Sequence, residues 1–172
     1  MKISWVMYTM LDQEIVINTG PLIALAIGCD SWEVLRHCGA RIVIPVAVLR
    51  ELHAGRPGSP GRDWPTPPGA ILHPMIAIPP YLSAILDAGE AAVLATALVR
   101  SANLVAIDEL AGRRCARIHG LAVTGSLGLV LRAIRSGMDL DLESVLDRMH
   151  QGGIHLSPTV ITEARRKAQQ KP

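Results

Sequence analysis

Phenylalanine is absent, and aromatic residues make up only 3% of the 172 positions. A core must therefore come from Leu, Ile, Val and Ala, and a hydrophobic fraction of 49% is too high for a disordered chain. Cysteine is scarce. Cys29, Cys38 and Cys115 are odd in number and show neither a CxxC pair nor Cys/His ligand spacing, a pattern that suits buried thiols in a reducing compartment. The six histidines show no HxxxH or other pairing, so none is assigned to a metal or to a catalytic base. Long helical apolar runs are missing too: the longest charge-free stretch, Trp64 to Leu86, carries prolines at 65, 67, 68, 74, 79 and 80, which deny it a membrane-spanning helix. The start, MKISWVMYTMLDQ, has one lysine, an interrupted apolar patch and no small-residue cleavage site, so it makes a poor signal peptide. A cytoplasmic location without membrane contact is expected.

What is present fits one domain, and the net charge of +2 is compatible with a polyanionic partner without requiring one. Residues 1–13 precede the first convincing element and read as an N-terminal extension, with Met7 and Met10 as alternative starts. Four short β-branched or apolar runs, EIVIN from Glu14, Arg41 to Ile44, Leu104 to Ile107 and Leu121 to Thr124, alternate with segments of helical periodicity. Such alternation predicts a parallel sheet with helices on both faces. Residues 54–80 are rich in Pro and Gly and read as a surface excursion with an edge strand in Ile71 to Ile78. The main domain is expected over 14–160, followed by a basic C-terminal tail over 161–172 that reads as a solvated helix end, a frayed tail or a nucleic-acid arm.

The chain is organised around AGEAAVLATALVRSANLVAIDELAGRR, where a helix expected to start at Glu90 leads into a strand that ends on Asp108 and Glu109. Asn18, Glu51, Glu90 and Asp108 all sit where strands meet helices or one turn inside a helix. In a parallel sheet those positions face one end, the end at which such sheets bind ligands. Clustered carboxylates repel, and a divalent cation removes that cost; Mg²⁺ takes oxygen ligands and bridges to phosphate, which points to metal-assisted phosphodiester hydrolysis. Each acid also has a plainer explanation. Glu90 suits a helix dipole, Asp108 an N-cap, and Glu51 a solvated helix face. Thr124-Gly125-Ser126-Leu127-Gly128 opens a helix after a strand, so its amides can hold a phosphate, as a nucleotide-binding turn would; it lacks the P-loop lysine, and a simple Ser/Thr cap accounts for it equally. Arg113 and Arg114, one turn beyond Asp108, are placed to meet phosphates or to form an exposed helix face.

VINTGPLIAL, IVIPVAVLREL, DAGEAAVLATAL, LVAIDELAGRRCARIHG and VTGSLGLVLRAIRSG, in that order, resemble the PIN-domain family, and most closely its PIN-like predicted nucleic-acid-binding proteins related to the VapC toxins. The resemblance implies an α/β/α sandwich with a central, mainly parallel sheet. It also implies acidic residues binding Mg²⁺ or Mn²⁺, cleavage of RNA, a cognate antitoxin protein as partner, and a homodimer. Carried over position by position, the family's four acids fall on Asn18, Glu51, Glu90 and Asp108, with Glu109 as a neighbouring accessory ligand. Glu51, Glu90 and Asp108 become the catalytic acids, while Thr124 and Ser126 border the RNA cleft beside Arg113 and Arg114. Two positions depart from the pattern: Asn18 where the family usually has Asp, and Gly20 where a hydroxyl residue is common. The missing charge at Asn18 is worth up to about 4 kcal/mol per unit cation charge at ~4 Å and an effective dielectric of about 20. A second expectation follows from it, namely a catalytically weak or inactive PIN-like domain that binds RNA or a protein without cutting.

Overall fold

The computed structural model describes residues 13–102 and 104–170. The expected extension lies outside the described residues up to position 12, as do positions 171 and 172 of the basic tail. Five strands, β1 (Glu14–Ile17), β2 (Arg41–Pro45), β3 (Ile71–His73), β4 (Leu104–Ala106) and β5 (Ala122–Thr124), form one sheet in the order β3-β2-β1-β4-β5. Every neighbouring pair is parallel, with Val16 opposite Val43 on one side and Val105 on the other. β1 is buried at all four positions, as a central strand covered on both faces must be, which is why its residues run apolar without alternation.

The helices among the described residues are α1 (Thr19–Cys29), α2 (Glu33–Arg36), α3 (Val46–His53), α4 (Pro80–Ser83), α5 (Ala88–Arg100), α6 (Leu110–Ile118), α7 (Ser126–Arg135), α8 (Leu142–Gln151) and α9 (Pro158–Gln169). From β1 the chain steps outward through β2 to β3, then returns past β1 to β4 and steps outward the other way to β5. Right-handed crossovers in opposite directions place α1 and α3 on one face and α5 and α6 on the other, giving a three-layer α/β/α sandwich. The strand order reverses between β1 and β4. Their carboxyl ends flank the crevice where an open α/β sheet takes its ligand.

The expected edge strand is β3, parallel to β2. The Pro/Gly-rich excursion before it is pinned to the body by Trp32, whose indole donates to the Pro65 carbonyl at 2.9 Å and meets the Trp64 ring edge-on at 4.7 Å. At the other end of the chain Ser157 caps α9, which buries Ala164, and Arg165 forms a bidentate pair with Glu143 of α8.

Two local expectations need correction. The central helix starts at Ala88, two residues before Glu90, because Asp87 is its N-cap: Glu90 N–H donates to Asp87 Oδ1 at 2.7 Å, and Asp87 N–H donates to Glu90 Oε2 at 3.4 Å. This is a reciprocal capping box. Asp108 does not cap the helix that follows it either. Glu109 occupies that position without a side-chain bond, and Asp108 reaches across to the start of α7.

Candidate functional site

The carboxyl end of the sheet divides into two halves. In the first, Asn18 follows β1 as the N-cap of α1, yet its side chain caps nothing. The third helical position is Pro21, which has no N–H, so one of the donors an N-cap ordinarily satisfies is missing. Asn18 is 97% buried, being 3% exposed, and its Oδ1 is a buried oxygen with no hydrogen-bond partner. Orphans of this kind are rare, since an unsatisfied buried polar group costs about 1–3 kcal/mol.

That oxygen faces Gly89 in the first turn of α5. A Cβ on Gly89 would lie 2.5 Å from Glu51 Oε2, 2.9 Å from Asn18 Oδ1 and 3.5 Å from Asp87 Oδ1, so three side chains converge on the space that glycine leaves open. Glu51 sits on the exposed side of α3, while its Oε2 accepts from the buried Thr19 hydroxyl at 2.8 Å. Beside this group lies a mostly apolar cavity of ≈ 290 Å³ bordered by Pro45, Ala47, Ile76, Leu86 and Asp87.

In the second half the acids are already occupied. Glu90 is only 4% exposed, and its Oε1 accepts from Gly112 N–H at 3.1 Å while Oε2 takes the Asp87 N–H. Burial pushes the Glu90 pKa up and the Asp87 charge adds to the rise, against the pull of the two amides. Asp108 Oδ1 accepts from Ser126 N–H at 2.8 Å and from Ser126 Oγ at 3.3 Å, closing the N-terminus of α7, whose N-cap residue Gly125 has no side chain to do so. Asp108 opens onto a cleft, but protein crowds its carboxylate; that burial raises its pKa, opposed by the Ser126 hydrogen bonds and then the Arg113 charge.

Arg113 is half-buried and its Nη1 donates to the carbonyls of Ile107 at 2.7 Å and Thr124 at 3.1 Å. Burial, with the nearby Arg117 charge, lowers its pKa. Arg114 is exposed on α6, Thr124 is half-buried, and Ser126 is 1% exposed with its N–H and hydroxyl both turned to Asp108. Glu109 lies over Gly20, where a Cβ would come within 2.5 Å of Glu109 Oε1. The glycine that departs from the expected hydroxyl residue thus leaves room for Glu109. Glu109, Asp108, Arg113 and Ser126 line a cleft of ≈ 760 Å³, closed on its far side by Glu163 and Lys167 of α9.

The residues expected at the site, Arg114 excepted, therefore lie toward one end of the sheet, but they do not form one cluster. Among the described residues no three His, Cys, Asp or Glu side chains stand close enough to hold an ion. None of Glu51, Asp87, Glu90, Asp108 and Glu109 forms an ion pair with a described residue, whereas Glu14, Glu33, Glu143 and Glu163 pair with arginines. The first half fits a hard divalent cation in its donor set: an orphaned carbonyl oxygen and two uncompensated carboxylates around a vacant Cβ position. Two members of this group, Thr19 and Asp87, were not expected at the site. The D-x-x-E spacing of Asp87 and Glu90 is the signal that would have found the second, since it marks a capping box.

No described helix is long and apolar enough to cross a membrane. No curated protein and no solved structure shows significant similarity to the chain. One family model does match, that of a PIN domain, over residues 14–170, which takes in every described strand and helix. With that span matched and the α/β/α sandwich in place, the chain belongs to the PIN-domain family.

Proposed function

We propose that this PIN domain is a divalent-metal-dependent endoribonuclease. The observation that carries the reading is that Asn18, Glu51, Glu90 and Asp108, with Glu109, stand in two groups at the carboxyl end of a parallel sheet whose strand order reverses there, none of the acids in an ion pair with a described residue. Mg²⁺ or Mn²⁺, when bound, would neutralise these charges, activate water and stabilise charge on the leaving oxygen of a phosphodiester. The chain's own residues divide the remaining work. Thr19 fixes the Glu51 carboxylate, and Glu90 ties the start of α5 to α6. Asp108 holds the entrance of α7 against the cleft wall. The N–H groups of Arg113 that its Nη1 contacts leave free, with Arg114, meet the RNA backbone, and Thr124 and Ser126 shape the wall along which it runs.

In this reading the biological setting is that of a cytoplasmic toxin, present as a homodimer and held in check by an antitoxin protein. That part rests on the resemblance to VapC-related chains alone. The neutral Asn18 favours a second reading, a weak or inactive PIN domain that binds RNA or a protein partner without cutting.

Hydrolysis of a mixed RNA pool with and without Mn²⁺, by the wild-type chain, Asn18→Asp and Glu51→Gln, separates the two. Cleavage by wild type that needs Mn²⁺ and is lost in Glu51→Gln supports the nuclease. Cleavage by Asn18→Asp alone transfers support to the binding domain. Silence from both wild type and Asn18→Asp overturns the nuclease reading.

A further inference from the structure

The position that a family acid leaves neutral is Asn18, and the charge it lacks has a replacement within reach. The geometry points to Asp87 as that replacement: Asn18 Oδ1, Glu51 and Asp87 form a seat for one divalent cation of the Mg²⁺ or Mn²⁺ type at Gly89. This deepens the nuclease reading and rests on its premise that this end of the sheet takes a divalent ion.

Four observations converge on it. Asn18 Oδ1 is nearly inaccessible and has no donor: Pro21 offers no N–H, the Gly20 amide is not used, and the oxygen faces the gap at Gly89 instead. Its neighbours across the gap are oxygens rather than donors: Glu51 Oε2 and Asp87 Oδ1 meet it around the missing Cβ of Gly89. Three oxygen-bearing side chains facing one small space repel unless a cation sits among them. Asp87 Oδ1, the oxygen at the edge of the gap, also accepts from the Glu90 amide, so the capping bond fixes this carboxylate beside the space while its charge forms no ion pair with a described residue. Finally, Gly89 is required: any side chain there would fill the gap.

The charge balance agrees with this arrangement. Glu51 and Asp87 supply two charges, and Asn18 contributes a neutral carbonyl oxygen. Glu90, one turn along, is spent on two backbone amides and is a positioning residue for this seat, holding the cap from which Asp87 projects.

The test measures Mn²⁺ binding directly, by the loss of the free-ion electron paramagnetic resonance signal, for wild type, Asp87→Asn, Asn18→Asp and the double variant. Asparagine caps a helix about as well as aspartate, so Asp87→Asn keeps the fold while removing the charge; its unfolding midpoint in EDTA checks this, and Asp87→Ser serves as a second capping replacement. Wild type should take up one Mn²⁺, Asp87→Asn should bind about tenfold more weakly or worse, and Asn18→Asp in the same chain should restore the affinity by returning the charge from the other side. Asp87→Asn binding Mn²⁺ as tightly as wild type, a double variant that recovers nothing, or wild type that takes up no Mn²⁺ at millimolar concentration would each overturn the seat. Mn²⁺ bound through Asp87 without RNA cleavage supports the seat and removes the nuclease reading. Cleavage that depends on Mn²⁺ with Asp87→Asn binding unchanged removes the seat and leaves the nuclease standing.

Discussion

The two halves of the sheet's carboxyl end contain similar residues in opposite states. On the β4 side each acid has found protein donors: Glu90 holds the amides of Asp87 and Gly112, and Asp108 holds the amide and hydroxyl of Ser126. On the β1 side Asn18 Oδ1 has none and Glu51 has the Thr19 hydroxyl. An acid whose lone pairs face backbone N–H groups is stabilising the fold, and one whose neighbours are other oxygens is waiting for a cation. Four positions that look equivalent in a motif thus separate into two bonded to backbone amides, Glu90 and Asp108, and two that are not, Asn18 and Glu51, and only the second pair is free for the proposed cation.

Removing a carboxylate from each half should break this symmetry most visibly. Glu51→Gln should lower Mn²⁺ affinity roughly tenfold to a hundredfold, the loss of one charge next to a divalent ion in partly screened surroundings. Asp108→Asn should change it by less than about threefold, because the Asp108 carboxylate is not among the oxygens at the Gly89 gap and is already engaged by Ser126. Calorimetric titration with MnCl₂ reads both. Equal losses would mean that one ion draws on both halves and that the division fails.

The second contrast is in stability without metal. Asp108→Ala leaves the α7 N-terminus without the carboxylate that serves as its cap, at a cost of about 1–2 kcal/mol, and Asp108→Asn should recover most of it by accepting the same amide. Glu51→Ala in EDTA should cost no more than about 1 kcal/mol, or raise stability by relieving the repulsion with Asp87. Urea unfolding of the three variants decides. A Glu51→Ala loss as large as that of Asp108→Ala would show that the β1 side is also structural.

These contrasts follow from details that pattern reading reaches only in part. The strands were legible because EIVI, RIVIP and LVA are β-branched or apolar runs between turns, and their alternation with helices dictated the parallel sheet. The motif positions Asn18, Glu51, Glu90 and Asp108 also fall toward the carboxyl end of the sheet, as the strand and helix boundaries required. Direction was not legible. Whether Asp108 points toward its own helix or toward Ser126, and whether Asn18 caps α1 or faces Gly89, depends on tertiary packing that brings separate chain segments together. Asp87 escaped for a more local reason. Reading the helix start at Glu90 hid the capping box three residues earlier, and with it a carboxylate that shares the Gly89 gap with Asn18.

A smaller effect, seen as a pH dependence, sharpens the account of the β4 side. Burial raises the folded-state pKa of Glu90 above its ordinary 4.5, so the folded protein holds that proton more tightly than the unfolded chain does. Its contribution to stability is full below the unfolded value and is lost as pH rises through the raised one. Asp108, shifted the same way, adds to the trend. Glu14 opposes it: Arg100 holds its pKa down, so that contribution is present above the unfolded value and lost as pH falls. Thermal midpoints in EDTA from acid to neutral pH should therefore fall less steeply for Glu90→Gln, which cannot titrate, than for wild type. Parallel curves would mean that Glu90 titrates as it does in the unfolded chain.

The smallest expected change probes the one protein donor on the β1 side. Thr19→Val is close to isosteric, keeps the first turn of α1 filled, and removes only the hydroxyl that reaches Glu51 Oε2. One hydrogen bond to a charged group is worth about 1.5–3 kcal/mol when both partners are constrained, and less here because Glu51 lies on an exposed helix face that water reaches. Unfolding free energy in EDTA should drop by about 1 kcal/mol or less. Mn²⁺ affinity should weaken by a few-fold, about what is lost when a carboxylate must be fixed on binding instead of beforehand. The sign is the informative part. If Thr19→Val binds Mn²⁺ more tightly, the hydroxyl competes with the ion for Glu51 Oε2, and the β1 side is as satisfied by its own protein as the β4 side.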